Sequence, residues 1–129
     1  VELFEPYVQT IIDEFYVCID DYRKVETELS RNLSSQETMR SDYYDIYTQM
    51  SSASSRAEYD ALAKKMTRIE KEFAKLAEAE ENLTMTKEDI QSTLYNFRYI
   101  FVYISEIAEA YESSLGEECD LILQEIYGD

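Results

Sequence analysis

Residues 59–83 read YDALAKKMTRIEKEFAKLAEAEENL, and this stretch decides the fold. Its large apolar residues return every three or four positions, with only Glu80 off the pattern: Tyr59, Leu62, Met66, Ile69, Phe73, Leu76 and Leu83. That spacing puts the side chains on one face of an α-helix, and it is the heptad pattern of helices that pack on one another. Frequent alanines in the same stretch add helix propensity. We therefore predict a helix over 56–81.

The same spacing appears on both sides of this stretch. It runs first through Phe4, Val8, Ile11, Phe15, Cys18, Tyr22, Val25 and Leu29, and later through Ile90, Leu94, Phe97, Phe101, Ile104, Ala108, Tyr111 and Leu115. The chain contains only 2 Gly and 1 Pro, so the residues that favour tight turns are scarce. Strand-like alternation of apolar and polar residues is absent. The sequence therefore predicts helix throughout.

Polar segments predict where the helices end. Ser34 with Glu37 and Ser55 with Glu58 have the spacing of a capping box. The serine cluster at 51–55 weakens a helix interior, and residues 82–86 read as a turn. We predict helices over 5–33, 35–50, 56–81 and 86–115, with a short helix over 117–127. If the serine cluster does not interrupt the helix, residues 35–81 form one helix about 70 Å long.

These elements predict one all-α domain over residues 1–129. Short connections make consecutive helices antiparallel neighbours, so we expect an antiparallel helical bundle of three to four long helices with coiled-coil-like heptad packing. No segment has the roughly 20 consecutive apolar residues that a membrane-spanning helix needs, so we expect no membrane insertion.

The net charge is −16 and the chain has no His. A chain this acidic repels nucleic-acid phosphates and anionic membranes, so we expect a protein partner with a neutral or basic surface. Without His, a Ser-His-Asp arrangement is impossible and the commonest metal ligand is missing. We predict no enzyme activity, no cofactor and no metal site. Cys18 and Cys119 are expected to be unpaired thiols in the cytoplasm or another reducing compartment.

Tyrosine is unusually frequent, with 12 residues and no Trp. Tyr combines a large contact area with a polar tip, which suits protein interfaces. The predicted interface residues lie in two segments: Tyr95, Phe97, Tyr99, Phe101 and Tyr103 in one, and Tyr43 and Tyr47 in the other. Because 94–104 is apolar on nearly every side, we expect a homodimer with this segment at its centre. The alternative is that tyrosine hydroxyls merely finish the edge of a core.

The basic residues are concentrated in the middle of the chain. Residues 56–75 have six basic and four acidic residues, whereas residues 76–129 have 13 acidic and two basic residues, a net charge of −11. One helix face has a cation at steps of four, three and four: Lys64, Arg68, Lys71 and Lys75. One hypothesis is that this face docks on the acidic part of the same chain, of another protomer or of a partner. The alternative is an ordinary solvated surface.

The function predicted from these features is a non-enzymatic protein–protein interaction module, such as an assembly subunit, an adaptor or a chaperone. It would oligomerise through its heptad positions and present an acidic surface rich in Tyr. The alternative is an acidic nucleic-acid mimic that inhibits a DNA- or RNA-binding protein. A helical bundle with a cofactor in its core is a third hypothesis, which the missing His disfavours.

Overall fold

A computed structural model describes residues 4–110 and 115–127 of the chain. Within these ranges it contains three helices, α1 (Phe4–Ser51), α2 (Arg56–Ala110) and α3 (Leu115–Tyr127). Every described residue outside 52–55 is helical, which confirms the prediction of an all-α protein. The count differs from the prediction, because there are two long helices and one short helix rather than three to four long ones. None of the described helices is both long and apolar enough to cross a bilayer.

The predicted break at the serine cluster is confirmed. The Ser55 Oγ accepts a hydrogen bond of 3.1 Å from the Glu58 backbone N–H, which caps the start of α2. The Glu58 carboxylate in turn accepts hydrogen bonds from the backbone N–H (3.2 Å) and the hydroxyl (3.0 Å) of Ser54. These contacts satisfy N–H groups that have no partner within a helix end. The short helix predicted over 117–127 corresponds to α3.

The two other predicted breaks are wrong. Residues 5–33 and 35–50 belong to one helix, and Ser34 lies inside it with its carbonyl accepting a hydrogen bond from the Thr38 hydroxyl (3.2 Å). Residues 56–81 and 86–110 likewise belong to one helix, in which the Thr86 hydroxyl donates to the Asn82 carbonyl (3.0 Å). The hydroxyls of Thr38 and Thr86 are thus satisfied on the preceding turn, which accommodates these polar residues inside the helices. The last long helix was expected to end at 115. The described part of α2 ends at Ala110, and residues 111–114 lie outside the described residues.

The chain divides into two compact units. Unit 1 comprises Val1–Lys24 and Lys87–Asp129, and unit 2 comprises Val25–Thr86. The core of unit 1 draws on all three helices: Val8, Ile12, Phe15, Phe101, Ile104, Cys119 and Ile122. The Phe15 ring lies edge-on to the rings of Phe97 and Phe101, with centroids 5.7 Å and 5.3 Å away. Helix α3 is also attached by a hydrogen bond of 2.6 Å from the Ser105 hydroxyl to the Asp120 carboxylate.

Unit 2 combines apolar and polar packing between its parts of α1 and α2. Leu62 is buried, and Asn32 and Gln36 are buried polar residues on α1. The Asn32 amide donates to the Leu76 carbonyl (2.9 Å), and the Gln36 amide donates to the Glu80 carboxylate (3.0 Å). Further along α1, the Arg40 guanidinium lies over the Phe73 ring, 5.9 Å from its centroid.

Candidate interaction surface

Three of the predicted interface tyrosines form an exposed row on α2, called here the tyrosine stripe: Tyr95, Tyr99 and Tyr103. Their exposed fractions are 50%, 58% and 66%. The hydroxyls of Tyr95 and Tyr99 are hydrogen-bonded at 2.8 Å, and their rings meet edge to face with centroids 5.2 Å apart. The side chains of Tyr95 and Tyr99 therefore restrict each other's conformations.

Arg98 supports the same two rings. Its guanidinium lies 5.3 Å from the centroid of the Tyr95 ring and 5.9 Å from that of Tyr99. The hydrogen bond to Tyr95 raises the pKa of the Tyr99 hydroxyl, and the charge of Arg98 opposes that shift. Sequence reasoning overlooked Arg98 as part of the surface, although its position three residues after Tyr95 is the spacing of neighbours on a helix.

The two phenylalanines of the predicted interface lie elsewhere. Phe101 is 0% exposed and belongs to the core of unit 1, and half-buried Phe97 packs against that core. The expectation that Phe101 lies at an interface is thus corrected, because α1 and α3 of the same chain cover this side of 94–104. The side with the tyrosine stripe stays exposed, together with Ile100 and Val102.

Acidic residues flank the exposed apolar residues along α2. Exposed positions recur at steps of four and three, and we call this set the outer row: Glu88, Ser92, Tyr95, Tyr99, Val102, Glu106 and Glu109. Residues at this spacing share one face of a helix. Carboxylates thus stand at both ends of the row and apolar side chains stand in the middle. A shallow depression beside its first half is lined by Glu88, Gln91, Ser92, Tyr95 and Asn96. Glu88, Glu106 and Glu109 were not singled out from the sequence, although their spacing already placed them on the same helix face as Tyr95 and Tyr99.

Tyr43 and Tyr47 fall in unit 2. Tyr47 is exposed, whereas Tyr43 is half-buried and meets the ring of Tyr44 with centroids 6.3 Å apart. Tyr43 also lines an open groove of about 290 Å³, whose other lining residues are Met39, Arg40, Tyr44, Ile69, Glu70 and Phe73. The structure therefore places these two tyrosines in a different unit from the tyrosine stripe.

The predicted basic face, Lys64, Arg68, Lys71 and Lys75, is exposed along α2 in unit 2. Lys75 pairs with Glu72 at 3.4 Å. Among the described residues, none forms an ion pair with Lys64, Arg68 or Lys71. Those three residues, with the small side chains of Ala63 and Thr67, line a shallow depression of about 390 Å³. This surface therefore has positive charges without carboxylate partners among the described residues, next to the small side chains of Ala63 and Thr67.

Over residues 4–110 and 115–127, no three Cys, Asp or Glu side chains converge as metal ligands would. The chain matches no known family model, and no curated protein or solved structure is significantly similar to it.

Proposed function

We propose that this chain is a non-enzymatic protein-interaction module that binds a neutral or basic protein surface through the tyrosine stripe. The observation that carries the proposal is the exposure of Tyr95, Tyr99 and Tyr103 in one row, next to exposed Ile100 and Val102. Contiguous exposed apolar area is unusual on a protein that acts alone and marks interaction sites. Tyrosine is also among the residues that contribute most to binding energy at interfaces.

We further propose that each unit is built as an antiparallel coiled-coil pairing of α1 with α2. In support, the buried and half-buried residues of α2 include an unbroken series at steps of three and four from Leu62 to Ile104, and only Ala63, Ala79 and Arg98 lie outside it over this range. In unit 2, Asn32 contacts Leu76 whereas the later Arg40 contacts Phe73, so the contact moves backwards along α2 as α1 advances. In unit 1, Phe15 contacts Phe101 whereas the later Tyr22 contacts Gln91, so here too the contact moves backwards along α2 as α1 advances. A rigid helical framework of this kind holds the stripe in a fixed geometry.

The electrostatics favour a partner with basic or neutral residues. Glu88, Glu106 and Glu109 flank the stripe, and the chain has a net charge of −16. Acidic flanks speed the approach of a basic surface and penalise an acidic one. Aromatic rings also attract Lys and Arg side chains. We include self-association as a homodimer in the proposal, since the chain has its own basic face.

The test is affinity capture from the native source with two matched triple variants. One variant replaces the stripe, as Tyr95→Ser, Tyr99→Ser and Tyr103→Ser. The control replaces three exposed tyrosines elsewhere, as Tyr7→Ser, Tyr44→Ser and Tyr59→Ser. Proteins captured by the wild type and the control should be lost from the stripe variant, while circular dichroism shows that all three chains are folded. Equal capture by both variants would refute a binding role for the stripe.

A further inference from the structure

We infer that the occupant of the tyrosine stripe includes a second copy of this chain, which docks through its basic face. The inference rests on the proposed function, in which the stripe is a protein-binding surface, and it names the partner residues: Lys64, Arg68 and Lys71 of another copy. Three observations support it, namely the charge order of the outer row, the unpaired charge of the basic face, and the matching spacing of the two.

The outer row is acidic at its ends and apolar in its middle. Glu88 precedes the apolar part, Tyr95, Tyr99 and Val102 form it, and Glu106 with Glu109 follow it. An antiparallel pairing of this row with itself would bring Glu88 of one copy next to Glu109 of the other. Such like-charge contacts are unfavourable, so the row is poorly suited to bind its own counterpart. It suits a helix whose face bears cations.

The basic face supplies such cations. Its three free members are exposed, and none has a carboxylate partner among the described residues. The other side chains that line the same shallow depression, Ala63 and Thr67, are small. Lys and Arg can lay their aliphatic stems along aromatic rings while the charged ends reach carboxylates at the edge. These short residues beside the cations leave room for tyrosine rings to approach.

The spacing of the two surfaces agrees when the helices run antiparallel. The basic face advances from Lys64 by four, three and four residues, and the outer row retreats from Glu106 by four, three and four. In this alignment Lys64 faces the carboxylate of Glu106, and Lys71 faces the ring of Tyr99. The contact thus contains an ion pair and a cation–π interaction of the type that Arg98 already makes within the chain. Equal spacing lets these two contacts form together, with Arg68 opposite Val102 between them.

The experiment is a charge exchange on the full chain, followed by light scattering after size-exclusion chromatography. One variant reverses the basic face, as Lys64→Glu, Arg68→Glu and Lys71→Glu. The second reverses the carboxylate that faces Lys64 and the one a turn further on, as Glu106→Lys and Glu109→Lys. The control reverses three other exposed cations, as Lys24→Glu, Arg31→Glu and Lys65→Glu, which changes the net charge by the same amount as the first variant.

At micromolar concentration the wild type should exceed its monomer mass of 15.2 kDa. Each reversed variant alone should associate at least about tenfold more weakly, since attractive pairs become repulsive. An equal mixture of the two should recover the association, because each reversed surface then meets an opposite charge. The control should behave like the wild type.

A monomeric wild type, an unrestored mixture, or a control weakened as much as the basic-face variant would each overturn the inference. The proposed function is judged separately, by the capture experiment with the tyrosine variants. If the stripe variant loses captured proteins while charge exchange has no effect, the stripe binds protein but its occupant is not this chain. If the mixture recovers association yet the serine variant of the stripe still self-associates and captures like the wild type, the stripe itself is not the binding surface.

Discussion

The side-chain amide of Asn32 on α1 donates a hydrogen bond of 2.9 Å to the backbone carbonyl of Leu76 on α2. Gln36 extends this contact, since its amide donates to the Asn32 side-chain oxygen (2.6 Å) and to the Glu80 carboxylate (3.0 Å). The polar residues of α1 thus meet a polar residue of α2 in a row that is otherwise apolar. A buried polar group of this kind is costly unless its partner is opposite, so it favours one alignment of the two helices.

Asn32→Leu should raise the stability of the chain and weaken the specificity of its helix alignment. The substitution adds apolar burial of up to about 3 kcal/mol and removes two hydrogen bonds, to the Leu76 carbonyl and from the Gln36 amide, with net contributions of about 1 kcal/mol each. The Leu76 carbonyl lies inside α2, so it retains a helical partner. We expect a gain of about 1 kcal/mol in the free energy of unfolding, measured by urea denaturation. Disulfide crosslinking of cysteines introduced on the two helices should then detect more than one alignment.

Asn32→Asp provides the opposite case at the same position. It keeps the size of the side chain, but it introduces a negative charge into a buried network that already contains Glu80. We expect a loss of about 1–3 kcal/mol at neutral pH, because an uncompensated charge is buried. If the Asn32→Asp variant is as stable as the wild type, the network is hydrated and does not determine how α1 aligns with α2.

The same network lies next to the two helix ends that were wrongly predicted from the Ser34–Glu37 spacing and from the polar residues 82–86. Asn32, Gln36 and Glu80 interrupt the apolar pattern, and an interrupted pattern resembles the end of a helix. Their three- and four-residue spacing in fact continues that of Leu29, Met39, Leu76 and Leu83. What the sequence did not reveal is that these polar residues satisfy one another across the two helices. The break at the serine cluster was predictable because several helix-weakening serines there coincide with a working cap.

Ser55→Ala and Ser34→Ala should differ in their effect, although both serines begin a Ser-x-x-Glu motif. Ser55 accepts a hydrogen bond from the Glu58 backbone N–H, and its loss should cost about 1 kcal/mol. Ser34 lies inside α1, where Ala is the better helix former, so its replacement should be neutral or slightly stabilising. Urea denaturation of both variants measures the difference. Equal losses would contradict the continuous course of α1 through residue 34.

The candidate surface was predictable in part. The sequence showed that 94–104 is apolar on nearly all sides, and it placed Tyr95, Tyr99 and Tyr103 on one of them. It did not separate this side from the one with Phe101, because that requires knowing which side meets α1 and α3. The packing of Phe101 against Phe15 shows that the side of α2 with Phe101 faces the core. The tyrosines are left on the exposed side, where their hydroxyls can remain hydrated.

Phe101→Ala and Tyr103→Ala test this division between core and surface. Removing the fully buried ring of Phe101 should leave a cavity and cost about 3–5 kcal/mol. Removing the mostly exposed ring of Tyr103 should change stability by less than about 0.5 kcal/mol. Thermal and urea denaturation followed by circular dichroism give both values. If Phe101→Ala unfolds the chain outright, Phe101→Leu should still show a smaller loss, whereas a neutral Phe101→Ala would place that ring at a surface.

The last prediction concerns the buried thiol of Cys119. Burial, with smaller contributions from the charges of Glu118 and Asp120, raises the pKa of this thiol to about 11. The unfolded chain loses the same proton at the ordinary, lower pKa of a cysteine. The contribution to stability is therefore complete below that ordinary pKa and is lost as the pH rises toward about 11, with a slope of at most about 1.4 kcal/mol per pH unit. Cys119→Ala lacks this dependence, so the difference in unfolding free energy between wild type and variant should shrink across that window.

Cys18 is an internal comparison for the reactivity of Cys119, since Cys18 is only half-buried and burial raises its pKa as well. Alkylation near pH 8 should therefore reach Cys18 first, because the thiolate is the reacting form and access to Cys119 requires opening of the core. Faster alkylation of Cys119 would mean that α3 separates readily from α1 and α2 despite the hydrogen bond between Ser105 and Asp120.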